Sequence, residues 1–186
     1  YNEESTNVKI FNISDSKDQM TFDVKVRRKI GKTLLYDEEG ISGWGWGFSE
    51  KRDYWAGVEF SLNEAGLLSG VDLGFFKSNL NIEILVYEPF TNESDRTKNL
   101  ILSIKNLKPK TGWNTFYFNG KDKIRIDKNE NIFVAYKAIN ESYPVSIDRY
   151  GISTNRSFGS ADGVVWSNKI GQNYDINLRA RIETTN

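Results

Sequence analysis

The chain has 186 residues, 25 of them basic and 25 acidic, with no cysteine and no histidine. That balance gives no reason to expect a nucleic acid or an anionic membrane as partner. The missing residue types exclude thiol nucleophiles, histidine-based triads and bases, and Cys/His zinc sites. No run approaches the roughly 20 apolar residues of a membrane-spanning helix. The first residues carry no basic-plus-apolar leader pattern, and the opening in mid-pattern at Tyr1 is what a mature fragment or excised domain would show.

Alternating apolar and polar residues mark strands with one buried and one wet face. Residues 8–11 and 20–28 read as a first antiparallel pair. Met20, Phe22, Val24 and Val26 alternate with Thr21, Asp23, Lys25 and Arg27, and SDSKDQ supplies the turn. The basic step RRKIGK then divides residues 1–30 from residues 31–186. The shorter part is either the tail of an upstream domain or a piece of the larger unit.

Residues 32–36 read as a short strand. After them comes GISGWGWGFSEKRDYW, the least regular and most aromatic stretch, with glycines at 40, 43, 45 and 47 letting the backbone bend. Strands then come in close succession: 55–60, 67–76, 81–87, 99–105, 113–118, 123–126, 131–137 and 145–149. Asn119-Gly120 predicts a type I′ hairpin turn. The run Ile132 to Tyr136 is apolar on both faces and predicts a central strand.

The last stretch predicts a strand, a Gly/Ser loop, a hairpin through Asp162-Gly163 and a closing strand. On that strand Ile176, Leu178, Ala180 and Ile182 face one way, and Asn177, Arg179 and Arg181 the other. Many short strands between turn signals, with no helical period and no repeat, predict an all-β fold. The expected form is a two-sheet antiparallel β-sandwich, jelly-roll-like.

The ordered segments WAGVEF (55–60), NIEILVYE (81–88), TGWNTFYF (111–118), NIFVAYK (131–137), RSFGSADGVVW (156–166) and NLRARI (177–182) carry a resemblance. Together they resemble the lectin-like β-sandwich that follows the catalytic domain in secreted papain-like cysteine peptidases and other cell-surface proteins. Separately, VKIFNISDSKDQMTFDVKV (8–26) resembles the tail of immune-inhibitor-A-type metallopeptidases. The resemblance implies a secreted or cell-surface module attached to a catalytic domain. It also implies a carbohydrate or cell-surface ligand.

Two loops are expected to carry the ligand site. In residues 43–55, Trp44, Trp46 and Tyr54 sit among glycines, and their rings offer flat faces for sugar C–H groups. The bland alternative is that these rings cap the core. Around residues 150–160, Asp148, Arg149 and Arg156 offer paired hydrogen bonds and Tyr150 a stacking floor. The alternative there is an Asp148–arginine ion pair that orders the loop. Trp55, Trp113 and Trp166 are expected to be structural.

A structural calcium ion is allowed by the hard-oxygen donors Asp72, Asp122, Asp127, Asn129 and Glu130, without EF-hand spacing. Carboxylate pairs such as Glu38-Glu39, Asp53/Glu59 and Glu83/Glu88 are not organised for acid–base work, so no enzyme activity is expected. The competing expectation is a spacer that packs on and stabilises a neighbouring catalytic domain.

Overall fold

A computed structural model describes residues 8–11, 23–26, 31–37 and 40–184. The chain divides into two compact units, Tyr1–Ile30 and Gly31–Asn186. In the first, β1 (Val8–Phe11) pairs antiparallel with β2 (Asp23–Val26), Val8 opposite Val26 and Phe11 opposite Asp23. The rest of the strand expected over 20–28, and most of the 8–26 resemblance, lies outside the described residues.

The second unit is an all-β sandwich. Its strands are β3 (Gly31–Leu34), β4 (Trp44–Trp46), β5 (Arg52–Ser61), β6 (Gly66–Phe75), β7 (Ile82–Tyr87) and β8 (Leu100–Leu107). They continue as β9 (Gly112–Tyr117), β10 (Ile124–Ile126), β11 (Asn131–Glu141), β12 (Val145–Asp148), β13 (Ser157–Ser160), β14 (Asp175–Ile176) and β15 (Leu178–Thr184). One five-stranded sheet runs β13-β5-β11-β7-β8. The opposing sheet runs β10-β6-β15-β3, with β9 also on β6, and a three-stranded piece runs β14-β12-β4. All the pairings are antiparallel.

Residue parity builds the core. Ala56, Val58 and Phe60 of β5, Ile132, Val134 and Tyr136 of β11, and Ile82, Ile84 and Val86 of β7 project from one sheet. They meet Leu68, Val71, Leu73 and Phe75 of β6 and Leu178, Ala180 and Ile182 of β15. Burial at about 25 cal/mol per Å2 of apolar surface makes this layer the main stabilising term.

The expected central strand is central: β11 lies between β5 and β7. Its other face, Phe133 and Ala135, joins Leu85, Tyr87, Phe90 and Phe158 in a second cluster roofed by Trp55 and Trp166. The Trp166 ring stands perpendicular to Phe133 with centroids 4.9 Å apart, which is the structural role expected of it.

Three local expectations need correction. Asn119-Gly120 makes no type I′ turn: Asn119 is extended (φ −63°, ψ 160°) and Gly120–Asp122 form a 3-10 turn. The cause is topological, because β9 and β10 run end to end along the same edge of β6. The segment between them is a detour from one edge line. Asn177, expected on the wet face of β15, is 1% exposed. It is covered because its amide accepts from Ser146 Oγ at 2.8 Å and donates to Asp37 at 3.4 Å. Third, the irregular aromatic stretch contains a strand, β4, which pairs with β12.

Candidate functional site

The loop residues expected to bind ligand separate into two groups. β4 holds Trp44 opposite Ile147 and Trp46 opposite Val145. Gly45 between them faces the Phe76 ring, and a Cβ there would stand 2.6 Å from a ring carbon. The glycine is therefore required by close approach rather than by a turn. Trp46 turns inward, half-buried against the core with its ring 5.8 Å from Tyr174. Trp44, at the rim of the sheet, is 54% exposed, and the Arg149 guanidinium lies 4.1 Å from its ring centroid. Tyr150 comes directly after Arg149 and is 69% exposed.

Asp148, Tyr54 and Arg156 do other work. Asp148 is buried, and its carboxylate accepts the backbone N–H of Tyr150 at 3.1 Å and of Gly151 at 3.4 Å. It shapes the loop that presents Tyr150.

Tyr54 is buried too, edge-on to Phe48 at 5.5 Å. β5 starts at Arg52, so Tyr54 shares the inward parity of Ala56, Val58 and Phe60. Burial pushes its hydroxyl above the ordinary tyrosine value. Arg156 is committed to Ser61 Oγ at 2.6 Å and Glu59 at 3.7 Å, and lies over the Tyr36 ring at 5.3 Å. The structure thus brings Arg149 onto Trp44, leaves Tyr150 exposed on the adjoining loop, and uses the remaining candidates to hold the frame.

Beside these residues is a buried polar layer, of which the sequence expectations named only Asp148, as a loop residue, and Asn177, on a wet face. Asp37, Ser146, Asp148, Ser157, Asp175 and Asn177 are all buried. Asp148 and Asp175 stand directly opposite in the β12–β14 pair. Burial pushes the Asp175 carboxyl up, and Asp148 adds to the push, against hydrogen bonds from Thr154 and Ser157 that favour the charged form. Asp37 is held by Arg179 through Nε at 2.9 Å and Nη2 at 2.8 Å. A sequence signal existed in the Asp, Asn and Ser residues of parity opposite to Ile147 and Ile176.

The candidate calcium donors are dispersed. Asp72 accepts from Arg181 and Thr115, and Asp127 from Arg125. Among the described residues no group of three or more His, Cys, Asp or Glu side chains is gathered as a metal site requires.

The carboxylates that could pair for hydrolysis are engaged. Lys137 Nζ lies 2.6 Å from Asp53 and holds its carboxyl below the usual range. Glu59 binds Arg96 at 2.8 Å, Glu83 accepts from Ser103, and Glu88 accepts from Asn99. Glu38 and Glu39 lie outside the described residues. No helix among the described residues is long and apolar enough to cross a membrane. No family model matches the chain, and no curated protein matches it significantly.

Proposed function

We propose that residues 31–186 form a non-catalytic, extracellular or cell-surface module, jelly-roll-like in form, that binds carbohydrate or another cell-surface ligand. The observation that carries this reading is the Trp44 indole, exposed at the sheet rim and braced by Arg149. An exposed tryptophan costs the fold its hydrophobic burial, and stacking on an apolar sugar face restores it. Arg149 fixes the ring before ligand arrives, which lowers the ordering cost of binding. Tyr150, presented by the Asp148 turn, adds a second ring. Such a site is small and open, so its affinity is weak and useful adhesion comes from avidity in a larger protein. The absence of Cys and His and the engaged carboxylates support a non-catalytic role.

Tryptophan fluorescence titrated with a glycan panel, with and without calcium, tests the reading beside Trp44→Ala and Tyr150→Ala variants. Saturable quenching that the variants lose is expected. A response unchanged in both folded variants would remove the site.

The second reading is a spacer domain that stabilises a neighbouring catalytic domain. It is favoured by a separate observation, the rigid apolar tip Val164-Val165, whose residues are 77% and 70% exposed. Asp162 accepts both backbone N–H groups at 2.8 Å, so this tip is held outward. Exposed apolar surface fixed in place suits a docking contact.

A further inference from the structure

The outer face of the β9-β6-β15 sheet carries an array that is separate from the Trp44 rim and is used by neither the ligand-binding nor the spacer reading. On β9, Trp113, Thr115 and Tyr117 are exposed on one side of the strand. The register sets Trp113 beside Gly74, Thr115 beside Asp72 and Tyr117 beside Gly70. On the other side of β6, Arg179 stands beside Asp72 and Arg181 beside Gly70. A bulge between Leu68 and Gly70 keeps Leu68 and Val71 in the core while Gly70, Asp72 and Gly74 face out.

The two glycines decide the shape. They contribute no side chains of their own, so that of β6 only Asp72 rises between β15 and β9, with Ile41 packed over Gly74, and the arginines cross β6 to the aromatic rings. The Arg179 guanidinium lies 3.9 Å from the Trp113 ring centroid, and that of Arg181 lies 5.5 Å from Tyr117. Trp113 is still 39% exposed and Tyr117 69%.

Among the described residues, charge on this face closes in pairs. Arg179 binds Asp37, Arg181 binds Asp72 at 2.9 Å, and Lys123 binds Glu183 at 2.8 Å. Arg181 spends only its Nε on Asp72. Among the described residues its Nη1 and Nη2 have no hydrogen-bond partner. Thr115 Oγ1 donates to the same carboxylate at 2.6 Å.

We infer that this face is a second, flat binding platform for an extended neutral polysaccharide chain, with sugar rings against Trp113 and Tyr117 and hydroxyls read by the outward N–H groups of Arg181. The reasons are the geometry and the charge. Four residues of strand separate the two rings by about 13 Å, a span longer than one sugar ring and within reach of a chain of linked sugars. Between the two rings along β9 stands Thr115, a small side chain tied to Asp72, so the strand presents a low surface on which a straight ligand can lie. Balanced charges give an anionic chain no excess cation to neutralise, whereas adjacent donors and carboxylate acceptors match vicinal hydroxyls. The aromatic bracing by arginine keeps both rings in place without ligand.

The test is affinity electrophoresis of residues 1–186 in gels containing mixed-linkage β-glucan, xylan, galactomannan or polygalacturonate, with the matching monosaccharides as competitors. Retardation by at least one neutral chain is expected, weakened at least tenfold in Tyr117→Ala and Trp113→Ala and unchanged in Trp44→Ala. Monosaccharide should compete poorly. Tyr117 is so exposed that its removal leaves the fold intact, which keeps the test decisive if the Trp113 variant unfolds. Retardation lost only with Trp44 would assign binding to the rim and overturn the platform. Retardation by polygalacturonate alone, or by no neutral chain, would overturn it as well.

Discussion

Arg179 reaches back 142 residues along the chain to hold the fully buried Asp37 carboxylate through two of its nitrogens. The guanidinium stays partly exposed and lies on Trp113, while the carboxylate has no contact with water. Hydrogen bonding to Asp37 holds the arginine's pKa above its ordinary value. Truncating one partner therefore leaves a buried charge unpaired. Arg179→Ala should cost about 3–5 kcal/mol of unfolding free energy, read from urea melts. The double variant Asp37→Asn with Arg179→Met should recover much of that loss. A double variant no more stable than the single would show that the pair is not the source.

Asp175 makes stability depend on pH with a definite sign. Its carboxyl has a folded value above its ordinary one, chiefly through burial. Between the two values the folded state holds a proton that the unfolded state has released, so this group's contribution falls as pH rises. The decline begins near the unfolded value of about 4 and is complete above the folded value. Asp53, held low by Lys137, acts in the opposite sense and loses its contribution on acidification. Asp175→Asn should therefore gain on the wild type as pH is raised from about 4 towards neutrality. Parallel pH profiles of the two proteins in chemical denaturation would contradict this.

Gly57 tests the packing between the second cluster and β5. A Cβ at this position would stand 2.5 Å from a Phe133 ring carbon and 2.8 Å from Ala135 Cβ. Gly57→Ala should destabilise by about 1–3 kcal/mol through overpacking, despite better strand propensity. An unchanged melting temperature would mean that Phe133 can move, which its perpendicular contact with Trp166 argues against.

The tryptophans should divide by role. Trp166→Ala opens the cover over Phe133 and Tyr87 and should cost about 2–4 kcal/mol. Trp44→Ala removes a half-exposed ring and should cost less than about 1 kcal/mol. Thermal melts of both variants make the comparison, and an equal loss would place Trp44 in the frame.

Strands are legible in the sequence where the polar and apolar sets alternate without interruption, as on β15, and where both sets are apolar, as on β11. Both patterns are local records of which face is covered. Tyr54 reads as a loop residue because β5 begins three residues before the regular run at residues 55–60. Its even number, matching Ala56, Val58 and Phe60, is the available signal. Asn177 and Asp148 have polar parity yet are buried, because the parts that cover them come from distant sequence, Asp37 among them. Local alternation does not show that. The Trp113 and Tyr117 array is equally invisible, since it needs three strands brought into register across two glycines. Asn119-Gly120 misleads because turn chemistry reports only what the backbone tolerates. The shared edge on β6 decides the path.

The position of β15 between β6 and β3 also constrains how the protein is assembled in time. Ala180 pairs with Leu34 on one side and Val71 on the other, so one sheet stays divided until the strand formed last among these joins it. Pairings of such long sequence separation place the domain among slow folders, with milliseconds to seconds expected. Until then β3 and one edge of β6 stand open to any passing strand, and the newly made chain needs protection over that interval.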